Sequence, residues 1–339
     1  MKKISYKFSN TRVDYYLAYG ISHLKDIVNP AQTVLITDEN IFSAHTRRFN
    51  KWNTIVLKPG EEYKVQATVD SVIEQLIELG ADRKTTLVGI GGGVITDITG
   101  YVASVYMRGI SFGFIPTSIL AMVDASIGGK NGIDVGVYKN MVGVIRQPAF
   151  ILHDMIFLNT LPEAEWQNGF AEIIKHACIK DASMFKELQS RSLSYYRKSK
   201  RSACELIQRN VILKSKVVQA DEFEEGDRKL LNFGHTLGHA LENQYELSHG
   251  QAVSIGMTYA CEISEQLRGF KDTGKVIEVL GQYGLPTYAS FDKKKTFEVL
   301  QKDKKKVSAV MNYILLDKIG KGVIQQIPLE KLKALIDQF

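Results

Sequence analysis

Apolar residues recur along the first half of the chain in two alternating rhythms. Gln32-Thr33-Val34-Leu35-Ile36-Thr37-Asp38 is a continuous β-rich run that ends in Asp38-Glu39-Asn40. That pattern predicts a buried strand with polar side chains at its C-terminal end, the edge where open α/β sheets bind ligands. Residues 54–57, 85–90 and 111–115 predict further strands. Between them Val69, Val72, Ile73, Leu76 and Leu79 follow helical spacing over 65–79, with Gly80 placed as a C-cap, and 94–106 predicts another helix. Residues 144–158 return to apolar, strand-like sequence. This alternation predicts an α/β domain with a parallel-rich, Rossmann-like sheet.

The rhythm changes after Leu158. Thr160 and Glu163 form a capping-box pattern with Pro162 in the first turn, so a helix starts there. Helical periodicity then covers 164–180, 184–193, 201–220, 232–246, 251–267 and 274–283. Short strands at 312–316 and 322–327 and a helix at 329–339 close the chain. Two domains are expected, an α/β domain over 1–158 and a mainly α-helical domain over 159–339, in keeping with a length of 339 residues.

Composition narrows the class. Hydrophobic residues make up 45% and charged residues 24%, the balance of a folded globular protein. Cys178, Cys204 and Cys261 are widely spaced with no CxxC pair, which argues against a disulfide framework or a cysteine zinc site. The N-terminus lacks the apolar run of a secretory signal, and no segment reaches the ~20 apolar residues of a membrane span, so a cytoplasmic location is expected. With 43 basic against 37 acidic residues, the net charge of +6 is too balanced to imply nucleic acid, but it suits a small polyanionic substrate.

Candidate chemistry falls in three places. The strand at 85–90 runs into Gly91-Gly92-Gly93 and then a helix, which brings bare backbone N–H groups and a positive helix end to one point, the requirement for holding a pyrophosphate; the alternative is a purely structural tight turn. This is not the usual dinucleotide fingerprint, whose glycine turn follows the first strand, where this chain has Asp38. Asp124, Gly128-Gly129-Lys130 and Lys139-Asn140 read either as an anion cradle or as a loop with solvated lysines, whereas the lysine run over 290–306 reads as a solvated face.

The third place is Leu231-Asn232-Phe233-Gly234-His235-Thr236-Leu237-Gly238-His239-Ala240-Leu241-Glu242, followed by Ser248-His249-Gly250, which holds three of the seven histidines. Clustered imidazoles beside glycines suggest a reaction centre. On the helix after Thr160, Glu172, Lys175, His176 and Ile179 share one face. Glu172 with two histidines would make a three-ligand divalent site with an open position; alternatively Glu172 and Lys175 form a simple helix pair. Spacing leaves open which histidines join it, since His235 and His239 are a helical pair and His249 sits near the start of the next helix.

Gly91-Gly92-Gly93-Val94-Ile95-Thr96-Asp97, Arg108-Gly109, Pro116-Thr117-Ser118, Asp124 through Lys130, Lys139-Asn140-Met141, Thr160-Leu161-Pro162, Ala171-Glu172-Ile173-Ile174-Lys175, Arg228 with Leu231 to Thr236, Gly238-His239-Ala240 and His249-Gly250 occur in one order over nearly the whole chain. This series resembles the motifs of the 3-dehydroquinate synthases, a family of sugar phosphate cyclases. The resemblance implies an NAD-binding α/β domain, a helical metal- and substrate-binding domain, an active site in the cleft between them, and a homodimer. It implies metal ligands Glu172, His235 and His249 for one zinc or cobalt ion, with His239 facing substrate instead. NAD contacts would be Asp38, Asn40, Glu61, Lys64, Gly92, Gly93, Val94, Asp97, Thr117, Ser118, Lys130, Lys139, Phe157, Thr160 and Leu161. Asp124, Lys130, Asn140, Lys175, Lys214, Arg228, Asn232 and His239 would serve substrate and catalysis, with Arg108 reaching across the dimer and Lys304 or Lys305 completing the set.

The chain departs from the family in Ser118, where a second threonine is commoner, and in the loop 131–138, where Tyr138 replaces a frequent glycine. The implied reaction is a lyase step of the shikimate pathway of aromatic amino acid biosynthesis. It turns 3-deoxy-D-arabino-heptulosonate 7-phosphate into 3-dehydroquinate and phosphate through transient NAD oxidation at C5, phosphate elimination, re-reduction and an intramolecular aldol step. A related cyclase such as 2-deoxy-scyllo-inosose synthase, a metal-dependent polyol dehydrogenase of the glycerol dehydrogenase type, and a nucleotide-sensing or scaffold protein that keeps the fold without chemistry are the rival readings. Asn232 favours the synthase over its inosose-forming relatives, which tend to carry an acidic residue there.

Overall fold

In a computed structural model that describes every residue except 10, 137, 243, 303–309 and 339, the apolar runs assemble into one sheet. Its strands are β1 (Lys2–Lys7), β2 (Arg12–Leu17), β3 (Thr33–Asp38), β4 (Asn53–Leu57), β5 (Thr86–Gly91) and β6 (Ser111–Pro116); then, after a separate hairpin of β7 (Lys130–Val135) and β8 (Tyr138–Ile145), comes β9 (Phe150–His153). The order across the sheet is β1-β2-β9-β6-β5-β3-β4. Within this sheet, among the described residues, β1 and β2 pair antiparallel and the other neighbours pair parallel.

Burial explains the run of apolar residues. Every residue of β3 is buried, and so is every residue of β5 except Thr86, because a parallel sheet covered on both faces leaves no polar side. Leu35, Val88, Ile90, Ile115, Leu152 and Phe157 form a core cluster with Ile21, Leu24 and Phe49. β2 instead alternates, with Val13, Tyr15 and Leu17 inward.

Helices α1 (Glu39–His45), α2 (Gln66–Glu78) and α3 (Gly93–Val105) follow β3, β4 and β5. α2 buries Val69, Val72 and Leu76, and ends where Gly80 adopts φ 69° and Ala81 N donates to Leu76 O at 2.9 Å. α3 lies so close on β5 that a Cβ at Gly89 would stand 2.6 Å from Thr99 Oγ1.

Beyond β9 come α4 (Glu163–Lys180), α5 (Ala182–Gln189), α6 (Leu193–Lys198), α7 (Lys200–Ala220), α8 (His235–Glu242), α9 (His249–Arg268), α10 (Thr273–Gln282) and α11 (Lys293–Lys302). The antiparallel pair β10 (Val310–Lys318) and β11 (Lys321–Pro328) and the helix α12 (Leu329–Ile336) complete the chain. The chain forms two compact units, Met1–Glu165 with Cys204–Phe223, and Trp166–Ala203 with Glu224–Phe339. Among the described residues no helix is long and apolar enough to cross a membrane.

Four stretches differ from the sequence pattern. The helix expected over 184–193 is α5, which ends at Gln189, and a further short helix, α6, follows where Ser192 accepts from Tyr195 N. The helix expected from 232 begins at His235, after a 3-10 turn at Asp227–Asn232 and Gly234 at φ 79°. Residues 144–158 are not one strand but the end of β8, then β9, then a 3-10 turn at Met155–Asn159. The glycine-rich stretch around Lys130 and Lys139 is the β7–β8 hairpin, whose short strands the amide-rich sequence concealed.

In the second unit, α8 and α9 meet backbone to backbone. A Cβ at Gly238 would lie 2.9 Å from Ala252 O, and one at Gly256 would run into Gly234 O. Gly256→Ala is therefore an overpacking change expected to cost about 1–3 kcal/mol. Thermal unfolding should show the midpoint of this unit falling by several degrees; an unchanged midpoint would mean that the helices can part freely.

Candidate active site

The glycines at the α8–α9 crossing decide where the histidines stand. Gly234, at φ 79°, turns the chain into α8, so that His235 is its first residue. His249 is the first residue of α9, whose start is fixed by a capping box in which Ser248 and Gln251 exchange side-chain bonds. Gly250 N donates to Asn168 Oδ1 at 2.5 Å, and a Cβ on Gly250 would meet Asn168 O at 2.6 Å, so α9 starts hard against α4. Glu172 is one turn further along α4.

The outcome is a buried carboxylate between two imidazoles. Glu172 Oε1 is 3.0 Å from His249 Nε2 and 3.4 Å from His235 Nε2, and the side chain of Glu172 has no exposed surface. Lys175 Nζ pairs with the other oxygen, Oε2. The ligand atoms of Glu172, His235 and His249 all lie within 4.8 Å of one another. His239, Glu242 and His249 satisfy the same limit, but His239 is exposed.

The two imidazoles of the first trio differ in protonation. His235 Nδ1 lies 3.2 Å from Phe233 O, which can only accept, so Nδ1 carries the proton and Nε2 offers its lone pair. Burial, aided by the Lys175 ammonium, holds the His235 pKa well below 6.5 and keeps the ring neutral. Burial also pulls down on His249, but hydrogen bonds to Glu172 and Glu242 outweigh it and raise that pKa to about 9. Glu242 Oε2 is 3.6 Å from His249 Nδ1, the arrangement of a carboxylate behind a metal-bound imidazole. These donors fit a divalent metal: one carboxylate, the Nε2 lone pair of His235 fixed by Phe233 O, and Nε2 of His249, whose proton a metal ion would displace.

In the 3-10 turn that precedes α8, Arg228 is buried and Asn232 Nδ2 donates to Glu224 Oε1 at 2.5 Å, with Glu224 at φ 63°. Lys175 and His176 are buried with Glu172 on α4, so the helix pair of Glu172 with Lys175 and the histidine contacts exist together.

The first unit assembles a second group of predicted residues. β3 has β4 on one side and β5 on the other, which makes the C-terminal ends of β3 and β5 the point where strand order reverses. Asp38 stands at the end of β3 and caps α1 through Ile41 N at 2.9 Å, with Asn40 in the first turn of that helix. Burial raises the Asp38 pKa, opposed by bonds from the Ile41 and Asn40 amides. Gly91 ends β5 and Gly92, Gly93 and Val94 begin α3, with Gly92 as N-cap, half-buried and offering no capping side chain. Thr117 N donates to Gly91 O at 3.0 Å, and a Cβ on Gly92 would come 3.7 Å from Ser118 Oγ. A bare helix start at the sheet's switch point fits a pyrophosphate.

Glu61 lies in a 3-10 turn, and Lys64 follows it with its ammonium 2.6 Å from Asp97 Oδ2 and 3.7 Å from Glu61 Oε1. Burial raises the Asp97 pKa to about 6 against the pull of Lys64. Phe157 is buried, and Thr160 Oγ1 lies 2.9 Å from His45 Nε2, with Leu161 next in the chain. Asp124 sits in a π-helical turn at Ala121–Ala125, where Lys214 Nζ contacts its Oδ1 at 2.7 Å and its O at 2.8 Å. Lys130 opens β7, and Lys139 and Asn140 lie in β8. Arg108 is exposed at φ 65° and, among the described residues, forms no ion pair. Lys304 and Lys305 lie outside the described residues.

Sequence reasoning passed over Glu242, Glu224 and His45, which hold other site residues rather than matching a motif. Only Glu242 carried a signal, seven residues after His235 and so on the same face of α8.

The fold is shared with solved synthases. It superposes on 2-epi-5-epi-valiolone synthase from Streptomyces hygroscopicus subsp. jinggangensis with NAD+ and Zn2+ bound, at TM-score 0.88 and 26% identity, covering 100% of this chain and 97% of that one. The complex of 2-deoxy-scyllo-inosose synthase with carbaglucose-6-phosphate, NAD+ and Co2+ matches at TM-score 0.85 and 24% identity, over 99% of each chain. Residues 54–168 match the family model for the 3-dehydroquinate synthase N-terminal region, and 169–306 that for the C-terminal region. The 3-dehydroquinate synthase of Pyrococcus abyssi is 41% identical over 84% of each chain. The chain belongs to the 3-dehydroquinate synthase family and is an enzyme of that type.

Replacing Glu242 by Gln removes the charge behind His249 while keeping the size. The affinity of the trio for Zn2+, measured by competition with a chromophoric chelator, should fall roughly 10-fold or more. Unaltered affinity would show that Glu242 does not support His249.

Proposed function

We propose that this enzyme is a 3-dehydroquinate synthase, a lyase that converts 3-deoxy-D-arabino-heptulosonate 7-phosphate to 3-dehydroquinate and phosphate. The observation that carries this reading is the buried Glu172 facing His235 and His249 in a chain 41% identical to a 3-dehydroquinate synthase. The solved cyclases of other product specificity stand lower, at 26% and 24%.

Glu172 and the Nε2 atoms of His235 and His249 would hold one zinc or cobalt ion. Asp38 and Asn40 at the end of β3, Gly92, Gly93 and Val94 at the start of α3, and Glu61, Lys64, Asp97, Thr117, Ser118, Lys130, Lys139, Phe157, Thr160 and Leu161 would hold NAD. When bound, NAD supplies a reversible hydride acceptor and the metal a Lewis acid that stabilises charge on substrate oxygens.

The remaining residues bind and move protons. Lys130, Asn140 and Arg108 donate to the phosphate, and Arg228 and Lys214 neutralise substrate oxyanions. Asn232 and His239 relay the proton of the hydroxyl that is oxidised, while Lys175 and Asp124 orient substrate oxygens. His239 is exposed on α8, with its ring 5.0 Å from that of His235 and 6.2 Å from that of His249, and is able to exchange its proton with water. In this reading residues 1–158 serve chiefly the nucleotide and 159–339 the metal and substrate, in a cytoplasmic homodimer.

The test is phosphate release from heptulosonate phosphate with catalytic NAD, with and without chelator. Release without net NADH, abolished by the chelator and restored by Zn2+ or Co2+, is expected. Net NADH accumulation would point to a polyol dehydrogenase, and equal turnover of glucose 6-phosphate to an inosose-forming cyclase. Glu172→Gln should lower phosphate release at least about 100-fold while the protein stays folded by circular dichroism; retained activity removes Glu172 from the metal site.

A further inference from the structure

The β7–β8 hairpin contains an irregularity that regular pairing does not require. Its register slips between the pairs Ile133 with Val142 and Val135 with Tyr138, leaving Asp134 at the bulge. Opposite it Asn140 takes φ 54°, the left-handed region that Asn tolerates better than other side chains. The Asn140 amide, turned out of the ladder, donates to Asp134 Oδ1 at 2.7 Å. The Asp134 amide in turn donates to Lys64 O at 2.8 Å.

The Asn140 carboxamide is fixed at its other end. Lys64 Nζ donates to Asn140 Oδ1 at 2.7 Å and contacts Asp97 Oδ2 at 2.6 Å, with Glu61 Oε1 a more distant ion-pair partner at 3.7 Å. Because the carboxamide oxygen faces the ammonium, its NH2 group is the end presented away from Lys64. An NH2 group donates to a phosphate oxygen, whereas the flipped amide would offer it a repelling carbonyl.

We infer that Asp134 is a positioning residue for the reaction: together with Lys64 it locks Asn140 in the conformation that aims its carboxamide NH2 at the substrate phosphate. The inference rests on the role proposed above for Asn140. It makes the anion-binding amide part of the same hydrogen-bonded unit as Lys64 and Asp97, so the groups assigned to the nucleotide also orient a group assigned to the substrate.

Asp134→Ala removes the acceptor, and Asp134→Asn keeps a carboxamide oxygen that can still accept from Asn140 N. Each is compared with the unaltered protein for the KM of heptulosonate phosphate at saturating NAD, for NAD affinity by calorimetry, and for hydrogen exchange at the Asn140 amide. The Ala variant should raise KM about tenfold and speed the exchange about tenfold or more. Its NAD affinity should stay within about twofold, and the Asn variant should bring KM back to within about threefold of the original. An unmoved KM in the Ala variant, no recovery in the Asn variant, or a loss of NAD affinity as large as the rise in KM would overturn the inference. If the unaltered protein fails to turn over heptulosonate phosphate, it is the assigned reaction that falls. The three proteins are then compared for binding of inorganic phosphate in the NAD-loaded state, where equal Kd values overturn the role of Asp134 and about tenfold weaker binding in the Ala variant supports it.

Discussion

A carboxylate with no exposed surface cannot stay ionised inside a helical bundle unless cations or donors surround it. Glu172 is such a group, and much of the second unit is arranged around it. Lys175, one turn away, neutralises one oxygen, and two imidazoles face the other. Those imidazoles arrive from two helices that could not approach each other so closely if Gly234, Gly238 or Gly256 carried a side chain, and Gly250 lets the second of them start against α4. The spacing of the carboxylate and the two imidazoles is thus set by backbone against backbone, which tolerates less drift than long side chains reaching across a gap.

The first unit solves a different problem by different means. Its sheet offers a reversal of strand order at the ends of β3 and β5, where the sequence supplies a carboxylate on one strand and bare glycine amides after the other. Around this point the polar groups tie one another down: Asp38 caps a helix, Asp97 and Glu61 flank Lys64, and Lys214 holds the π-helical turn of Asp124. The turn and hairpin residues that would be costly in isolation, Asn140 and Asp124 among them, sit inside such networks, which is how irregular backbone persists in a folded protein.

Much of the fold was legible because parallel strands buried on both faces leave unbroken apolar runs, as in Val34-Leu35-Ile36 and Leu87-Val88-Gly89-Ile90. What escaped was decided by single residues whose effect depends on geometry. Gly234 shortens α8 by adopting a positive φ, and Ser192 caps a short helix, α6, that the spacing did not predict. In the site, helical spacing could pair His235 with His239 but had no means of bringing in Glu172 or His249, which come from other helices. Family resemblance named that trio, and the structure brings its ligand atoms together while leaving His239 exposed. Glu242, Glu224 and Asp134 carried no motif because they act on other side chains, and a contact of that kind exists only once the chain has folded.

The return of Cys204–Phe223 to the first unit has a consequence for how this protein can be inherited. The chain passes from one unit to the other between 165 and 166, back between 203 and 204, and over again between 223 and 224. Neither unit is therefore a contiguous stretch of gene, and a single recombination event cannot exchange either as a cassette. A cut after Leu158 would deprive the first unit of α7 and with it of Lys214, the partner of Asp124. The two units are bound to diverge together, substitution by substitution, rather than by shuffling.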